Sequence, residues 1–173
     1  MDSEIDPFAE EWEESGSVPK EAILKVAKMG CLALSTGNPW PSKYYPDRKV
    51  CGEILDKTDT FHEAILYEEL SRPACGGVFW ALIVGTCIGL PPIMKFGSES
   101  LKEKFGKTCL RGEKLTCLAV TEPWVGSDVA NMRTTAVKTP CGKFYIVNGM
   151  KKWITNGIFA DYFTTGVRTG GEG

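Results

Sequence analysis

Residues 115–131 read LTCLAVTEPWVGSDVAN: an apolar run from Leu115 to Val120 meets Thr121, Glu122 and Pro123, and Gly126, Ser127 and Asp128 follow. Proline removes a ladder donor and glycine frees the backbone, so a strand that begins at Leu115 must break here. The break leaves hydroxyl and carboxyl groups at a strand end, the usual place for a ligand. A second stretch, residues 151–157 (KKWITNG), offers an aromatic ring and a further hydroxyl. Together the two stretches have the parts of a site for a large planar cofactor.

Outward from this stretch the sequence divides. On its C-terminal side the apolar period is two: Leu115 to Val120, Arg133 to Thr139, Lys143 to Val147, Lys151 to Thr155 and Tyr162 to Arg168 read as strands. Pro140 to Gly142, Asn148-Gly149 and Asn156-Gly157 separate them as turns, which predicts an antiparallel meander ending in the tail GGEG. On the N-terminal side the period is helical. Ala22, Ile23, Val26 and Ala27 predict a short helix opened by Pro19 and stopped at Gly30. Thr60 and Glu63 are spaced as a capping box for a helix that ends at Pro73, and Ser98 caps another from Glu99 to Phe105. Ser35 to Lys57, rich in Pro, Gly and aromatic residues, reads as an ordered surface loop. The expected fold class is α+β, with an all-α unit over 1–112 and a β unit over 113–173.

No charge occurs between Arg72 and Lys95, which raises the question of a membrane span. Gly76, Gly77, Gly85 and Gly89, with Pro91 and Pro92 at the end, leave an unbroken apolar helix of only about four turns, better suited to a core. With 173 residues, 43% hydrophobic and 24% charged, the chain can bury a core. The net charge of -2 conceals an acidic start, eight carboxylates against Lys20 up to Glu21, and a basic second half, six cations against Asp161 over Val129 to Thr169. A phosphate-bearing ligand favours the second half.

Seven cysteines with no CxxC spacing, and the lone His62, predict no metal site and suggest a reducing compartment. With no secretory or transit pattern at the start, a cytoplasmic protein is expected, mitochondrial and peroxisomal locations staying open.

A planar redox cofactor needs a flat apolar surface against its ring, donors at the ring edge to stabilise the charge of the reduced form, and donors for a pyrophosphate. Trp153 can give the surface, and Thr155, two residues on in a strand, would share its side. Thr121 can reach the edge from the other strand. Gly126 admits close backbone approach, and Ser127 adds a donor. Each residue also has an ordinary reading, since a strand Trp packs in cores, Ser and Thr cap turns, and Asn-Gly closes hairpins.

The segment AVTEPWVGSD, followed by RTTAV, NGMKKWITNG and Ala160-Asp161, resembles the middle domain of the acyl-CoA dehydrogenase family. EWEESGSVP, YEELSR and GLPPIMKFGSESLKEKF likewise resemble its N-terminal domain, so the likeness covers almost the whole chain. The resemblance implies a helical domain followed by an antiparallel β-barrel-like one, and FAD as cofactor. It implies that Leu118 to Ser127 line the flavin, with Val120 and Thr121 at the isoalloxazine, Gly126 at the turn, and Ser127 toward the pyrophosphate and the bound acyl-CoA. Trp153 would pack on the flavin face away from substrate, with Ile154 beside it and Thr155 near N5.

Two departures stand out: Val125 and Asn131 occupy positions where the family prefers small residues, and the valine is expected to add bulk beside the turn. The family's catalytic carboxylate lies in a C-terminal helical domain that this chain stops short of, so no catalytic residue is assigned and Glu122 is expected to hold the loop. The implied activity is α,β-dehydrogenation of an acyl-CoA thioester, with electrons passing from FAD to an acceptor such as an electron-transfer flavoprotein. A homo-oligomer is implied for the longer form. The 173-residue piece alone is expected to bind FAD weakly or not at all and to show no turnover. The alternatives are a non-catalytic remnant or interaction module that keeps the fold, and nucleic-acid binding by the basic strands, which the alternation of Phe144, Tyr145 and Trp153 as core residues argues against.

Overall fold

The computed structural model describes residues 3–37 and 39–171. Asn38 in the Ser35 to Lys57 stretch, and the last two residues of the GGEG tail, lie outside it. Helices come first: α1 (Asp6–Ser15), α2 (Lys20–Lys28), α3 (Cys31–Leu34) and α4 (Thr60–Ser71). Between α3 and α4 lies a small antiparallel hairpin, β1 (Lys49–Val50) and β2 (Glu53–Ile54). Then α5 (Gly76–Phe79), a π-helical turn (Trp80–Val84), α6 (Gly85–Gly89) and α7 (Pro91–Phe96) run on as one helix of 21 residues. A last helical run passes from α8 (Glu99–Leu101) through a π-helical turn (Lys102–Gly106) to α9 (Lys107–Leu110).

In α2 the apolar face predicted from the spacing is the buried one: Ala22, Ile23, Val26 and Ala27 all lie in the core. Pro19 stands just before its first residue as the N-cap, and Lys25 and Lys28 sit in the last turn, where the helix dipole favours cations. Gly30 turns the chain from α2 into α3 at φ +81°, and a Cβ there would lie 2.2 Å from the Lys49 carbonyl oxygen. Only glycine therefore lets β1 approach this closely.

Two local expectations are corrected, and one helix has no counterpart in the sequence reading. The cap of α4 is one residue earlier than predicted: Asp59 accepts from the Phe61 and His62 amides, while His62 Nδ1 accepts from the Asp59 amide. Aspartate outranks threonine as an N-cap acceptor, and Leu66 and Leu70 are the buried residues of the helix it opens. The Ser35 to Lys57 stretch is more than a surface loop, because Trp40 and Tyr44 are buried in the core and Trp40 Nε1 donates to the Tyr45 carbonyl at 2.8 Å. Helix α1, inside the acidic lead, was not anticipated; it is closed by Gly16 in the left-handed conformation.

The helix Gly76–Phe96 is long and apolar enough to cross a bilayer by length and composition, and 39% of its most apolar window is buried in the protein. Its small residues face a strand. A Cβ on Gly89 would lie 2.7 Å from the Cys117 carbonyl carbon, and one on Gly85 would lie 3.0 Å from the Thr116 carbonyl oxygen.

That strand is β3 (Thr116–Ala119), followed by β4 (Thr135–Lys138), β5 (Tyr145–Asn148) and β6 (Tyr162–Thr165). The α+β class stands, but residues 1–112 are not all-α, since they hold the β1–β2 hairpin ahead of α4, and the meander is corrected in two respects. β4 and β5 pair antiparallel, whereas β3 pairs parallel with β6, Thr116 opposite Tyr162 and Ala119 opposite Thr165. Beyond β6 the chain reaches β4: the Ala136 amide donates to the Arg168 carbonyl and the Arg168 amide to the Thr134 carbonyl, each at 2.8 Å. In addition, Lys151 to Thr155 is not a strand. Trp153 within it has φ +56° and Asn156 just after it φ +62°, values that bend the chain rather than extend it.

Candidate functional site

The end of β3 and the 151–157 loop are clamped together. The Lys152 amide donates to the Thr121 carbonyl at 3.0 Å, and Lys151 Nζ donates to the Val120 carbonyl at 2.9 Å and to Glu122 Oε1 at 2.9 Å. The structure thus joins the two stretches that the sequence singles out.

Glu122 is the hub of the clamp. Its side chain is fully buried, and each carboxylate oxygen receives two donors: Oε1 from the Thr134 amide (2.9 Å) and Lys151 Nζ, Oε2 from the Arg133 amide (2.8 Å) and Trp124 Nε1 (3.0 Å). Burial pushes its pKa up, but the hydrogen bonds from Thr134, Arg133 and Lys151 prevail and hold the carboxyl well below the usual carboxylate range. A carboxylate so thoroughly engaged is a structural anion with little basicity left. The turn it starts is closed by backbone bonds between Glu122 and Val125, and Arg133 lies 5.2 Å over the Trp124 ring.

Around this hub the candidate residues fall into an inner and an outer set. Leu118 in β3, and Val120 and Thr121 after it, are half-buried, as are Ile154 and Thr155 in the loop. Gly126 and Ser127 are exposed, and among the described residues no atom outside Gly126 and its two chain neighbours lies within 4 Å of where a Gly126 Cβ would be. Trp153 is 69% exposed, with Lys152 Nζ 4.5 Å from its ring centroid. The Thr121, Ser127 and Thr155 hydroxyls have no hydrogen bond among the described residues, so their donors are free for a ligand. Since residues 151–155 do not form a strand, the argument that Trp153 and Thr155 share a strand face does not hold. What positions Trp153 is the Lys152–Thr121 bond next to it.

The two departures are absorbed. Val125 is 4% exposed, so its bulk packs inward instead of standing beside Gly126. Asn131 closes a 3-10 turn (Val129–Asn131) by donating from Nδ2 to Asp128 Oδ2. The sequence reading missed Lys151, whose ammonium is the cation that buried Glu122 requires; the signal was available, because a glutamate in an apolar turn needs a partner. It also missed that Cys31 and Cys51 meet in space.

Among known proteins, residues 1–113 match the acyl-CoA dehydrogenase N-terminal domain and residues 117–173 the middle domain. An acyl-CoA dehydrogenase of Emericella nidulans is 43% identical over 168 residues, which are 95% of this chain and 38% of that protein. One from Alternaria alternata is 40% identical over all of this chain and 40% of its own length. The chain therefore spans about two fifths of the length of these relatives. A crystal structure of an acyl-CoA dehydrogenase complexed with FAD, from Bacillus anthracis, superimposes with a TM-score of 0.78 at 31% identity, covering 98% of this chain and 27% of that one. By these matches over both its helical and its β portions, the chain belongs to the acyl-CoA dehydrogenase family.

Proposed function

We propose that these residues supply one wall of the flavin and thioester site of an FAD-dependent acyl-CoA dehydrogenase, within a helical unit over 1–112 and a β unit over 113–173. The observation that carries this reading is the Glu122–Lys151 clamp, which together with the Lys152–Thr121 bond joins the end of β3 to the loop that bears exposed Trp153.

The residues present fit FAD. Trp153 offers a flat apolar face, with Ile154 next to it. Val120 and the Thr121 and Thr155 hydroxyls suit the ring edge, while Gly126 leaves backbone room for a pyrophosphate and Ser127 a donor toward it and toward acyl-CoA. Bound FAD would accept the hydride that leaves the β-carbon of the thioester. Glu122 serves as the anchor of the wall; with four donors on its two oxygens it is no candidate for the proton-abstracting base.

In this reading the apolar helix Gly76–Phe96 is a core helix, not a membrane span, since Gly85 and Gly89 abut β3. The whole protein would be a homo-oligomer that passes electrons to an acceptor such as an electron-transfer flavoprotein, in the cytoplasm or in an organelle that carries out acyl oxidation. One observation favours a second reading as an interaction module: Val137, Phe144, Ile146 and Val147 are all more than half exposed.

The test uses a chain of the relatives' full length that carries these residues. Purified protein should show a flavin spectrum that bleaches on adding an acyl-CoA thioester; a protein that takes up no FAD under any loading condition sinks the proposal and leaves the interaction module. Trp153→Ala should leave the unfolding midpoint unchanged, because the ring is exposed, and weaken flavin binding about tenfold, equivalent to ~1.4 kcal/mol.

A further inference from the structure

The hairpin β1–β2 turns through Cys51 and Gly52, with φ of +51° and +98°. Two successive positive φ values define the two-residue turn whose first position favours Asn, Asp or Gly. A cysteine there is an unusual choice with a backbone cost. Its placement explains it. The Cys51 amide donates to the Met29 carbonyl at 2.8 Å, and Gly30 lets Lys49 press against the α2–α3 turn. These contacts fix the hairpin so that Cys51 Sγ lies 3.9 Å from Cys31 Sγ, across 20 residues of chain. Cys31 is buried at 2% exposure and Cys51 is exposed.

Both thiols line a cavity of about 500 Å3 with Val26, Leu34, Leu55 and Leu66 among its walls. None of its lining residues belongs to the Thr121–Trp153 wall, so the pair is a separate feature of the molecule.

We propose that Cys31 and Cys51 form a reversible thiol oxidation site, in which Cys51 reacts with a hydroperoxide and Cys31 resolves the product into a disulfide. The Cys51 sulfur attacks the peroxide oxygen, the O–O bond breaks, and the alcohol or water leaves with the thiol proton. The product is a sulfenic acid on Cys51. Cys31 Sγ then attacks Cys51 Sγ; the S–S bond forms, the S–O bond breaks, and hydroxide departs as water with the Cys31 proton. The two sulfurs together give up two electrons, and the peroxide takes them.

Division of labour follows from the surroundings. The hydrogen bond with Cys31 draws the Cys51 thiol down to about 6, against its own partial burial, while the same bond and burial push Cys31 up. The thiolate therefore forms on the exposed partner, the one a peroxide can reach. Contraction of 3.9 Å to the ~2.05 Å of a disulfide moves a two-residue exposed turn, not the core.

The test is mass mapping of the 173-residue chain after brief treatment with hydrogen peroxide. Trypsin releases Cys31 in residues 29–43 and Cys51 in residues 50–57, each with one cysteine, so a cross-linked pair of these peptides is unambiguous. The expected result is that pair as the first intramolecular disulfide, reversed by dithiothreitol. Cys31→Ser should abolish it and leave a dimedone adduct on Cys51, and Cys51→Ser should abolish both. A first disulfide between other cysteines, oxidation of Cys51 to sulfinic acid with no cross-link in the unmutated chain, or no reaction at Cys51 overturns the proposal.

Discussion

At the scale of single residues, Glu122 shows how one buried side chain ties together the segments that carry the candidate site. Two oxygens hold four donors from three separate segments, so the residues flanking the clamp are oriented without using their own side chains. Replacing the carboxylate with an amide leaves Lys151, 12% exposed, with no compensating charge. Glu122→Gln should therefore destabilise the chain by roughly 3 kcal/mol, seen as a lower urea midpoint. The sign of the pH dependence is also set. Because the folded carboxyl titrates below its unfolded value, its contribution is fully present above about pH 4.3 and is lost as pH falls through the depressed folded value. Acid unfolding of Glu122→Gln should accordingly be shallower between about pH 4.3 and pH 2 than that of the parent, measured by far-UV circular dichroism.

At the scale of elements, the contact of α6 with β3 decides how the helical portion meets the strands. The helix approaches so closely that Gly89 touches the Cys117 backbone, and Thr164 Oγ1 in β6 donates to the Gly89 carbonyl at 2.6 Å. Adding one methyl there forces the backbones apart, because the atoms it would meet belong to the main chain of a buried strand. Gly89→Ala should cost about 1–3 kcal/mol in urea unfolding, although alanine is the better helix former. Gly126→Ala, with open space around it, should cost little in the same measurement. A comparison of the two separates a glycine required for packing from one left clear on the surface.

At the scale of the whole molecule, stability is unevenly spread. The buried set from Ile5 to Leu110 forms one core to which α2, α3, α4 and the long helix all contribute. By contrast β5 is exposed at all four of its residues, and β4 buries only Ala136. An element with few buried contacts opens at low free energy. Amides of Tyr145–Asn148 should thus exchange with deuterium at least about tenfold faster than those of α2, as read by mass spectrometry of pepsin fragments. Equal protection would mean that the hairpin is covered in solution, by a second copy or by a ligand.

The sequence by itself determined the order of the architecture and the two stretches of the candidate site. Period 3.6 gives way to period 2 near Leu115, and the motif AVTEPWVGSD with KKWITNG marks the family and the stretches proposed as its site. These are local signals carried by neighbouring residues. Only the tertiary structure decided that β3 pairs parallel with β6, because strand partners 46 residues apart leave no trace in local alternation. It alone showed that residues 151–156 bend, with positive φ at Trp153 and Asn156, beside the Lys151 and Lys152 bonds to the end of β3. Likewise the meeting of Cys31 with Cys51 depends on Gly30 and on a hairpin turn, and no cysteine spacing could announce it. Long-range hydrogen bonds and close backbone contacts set these features, and they exist only once the chain is folded.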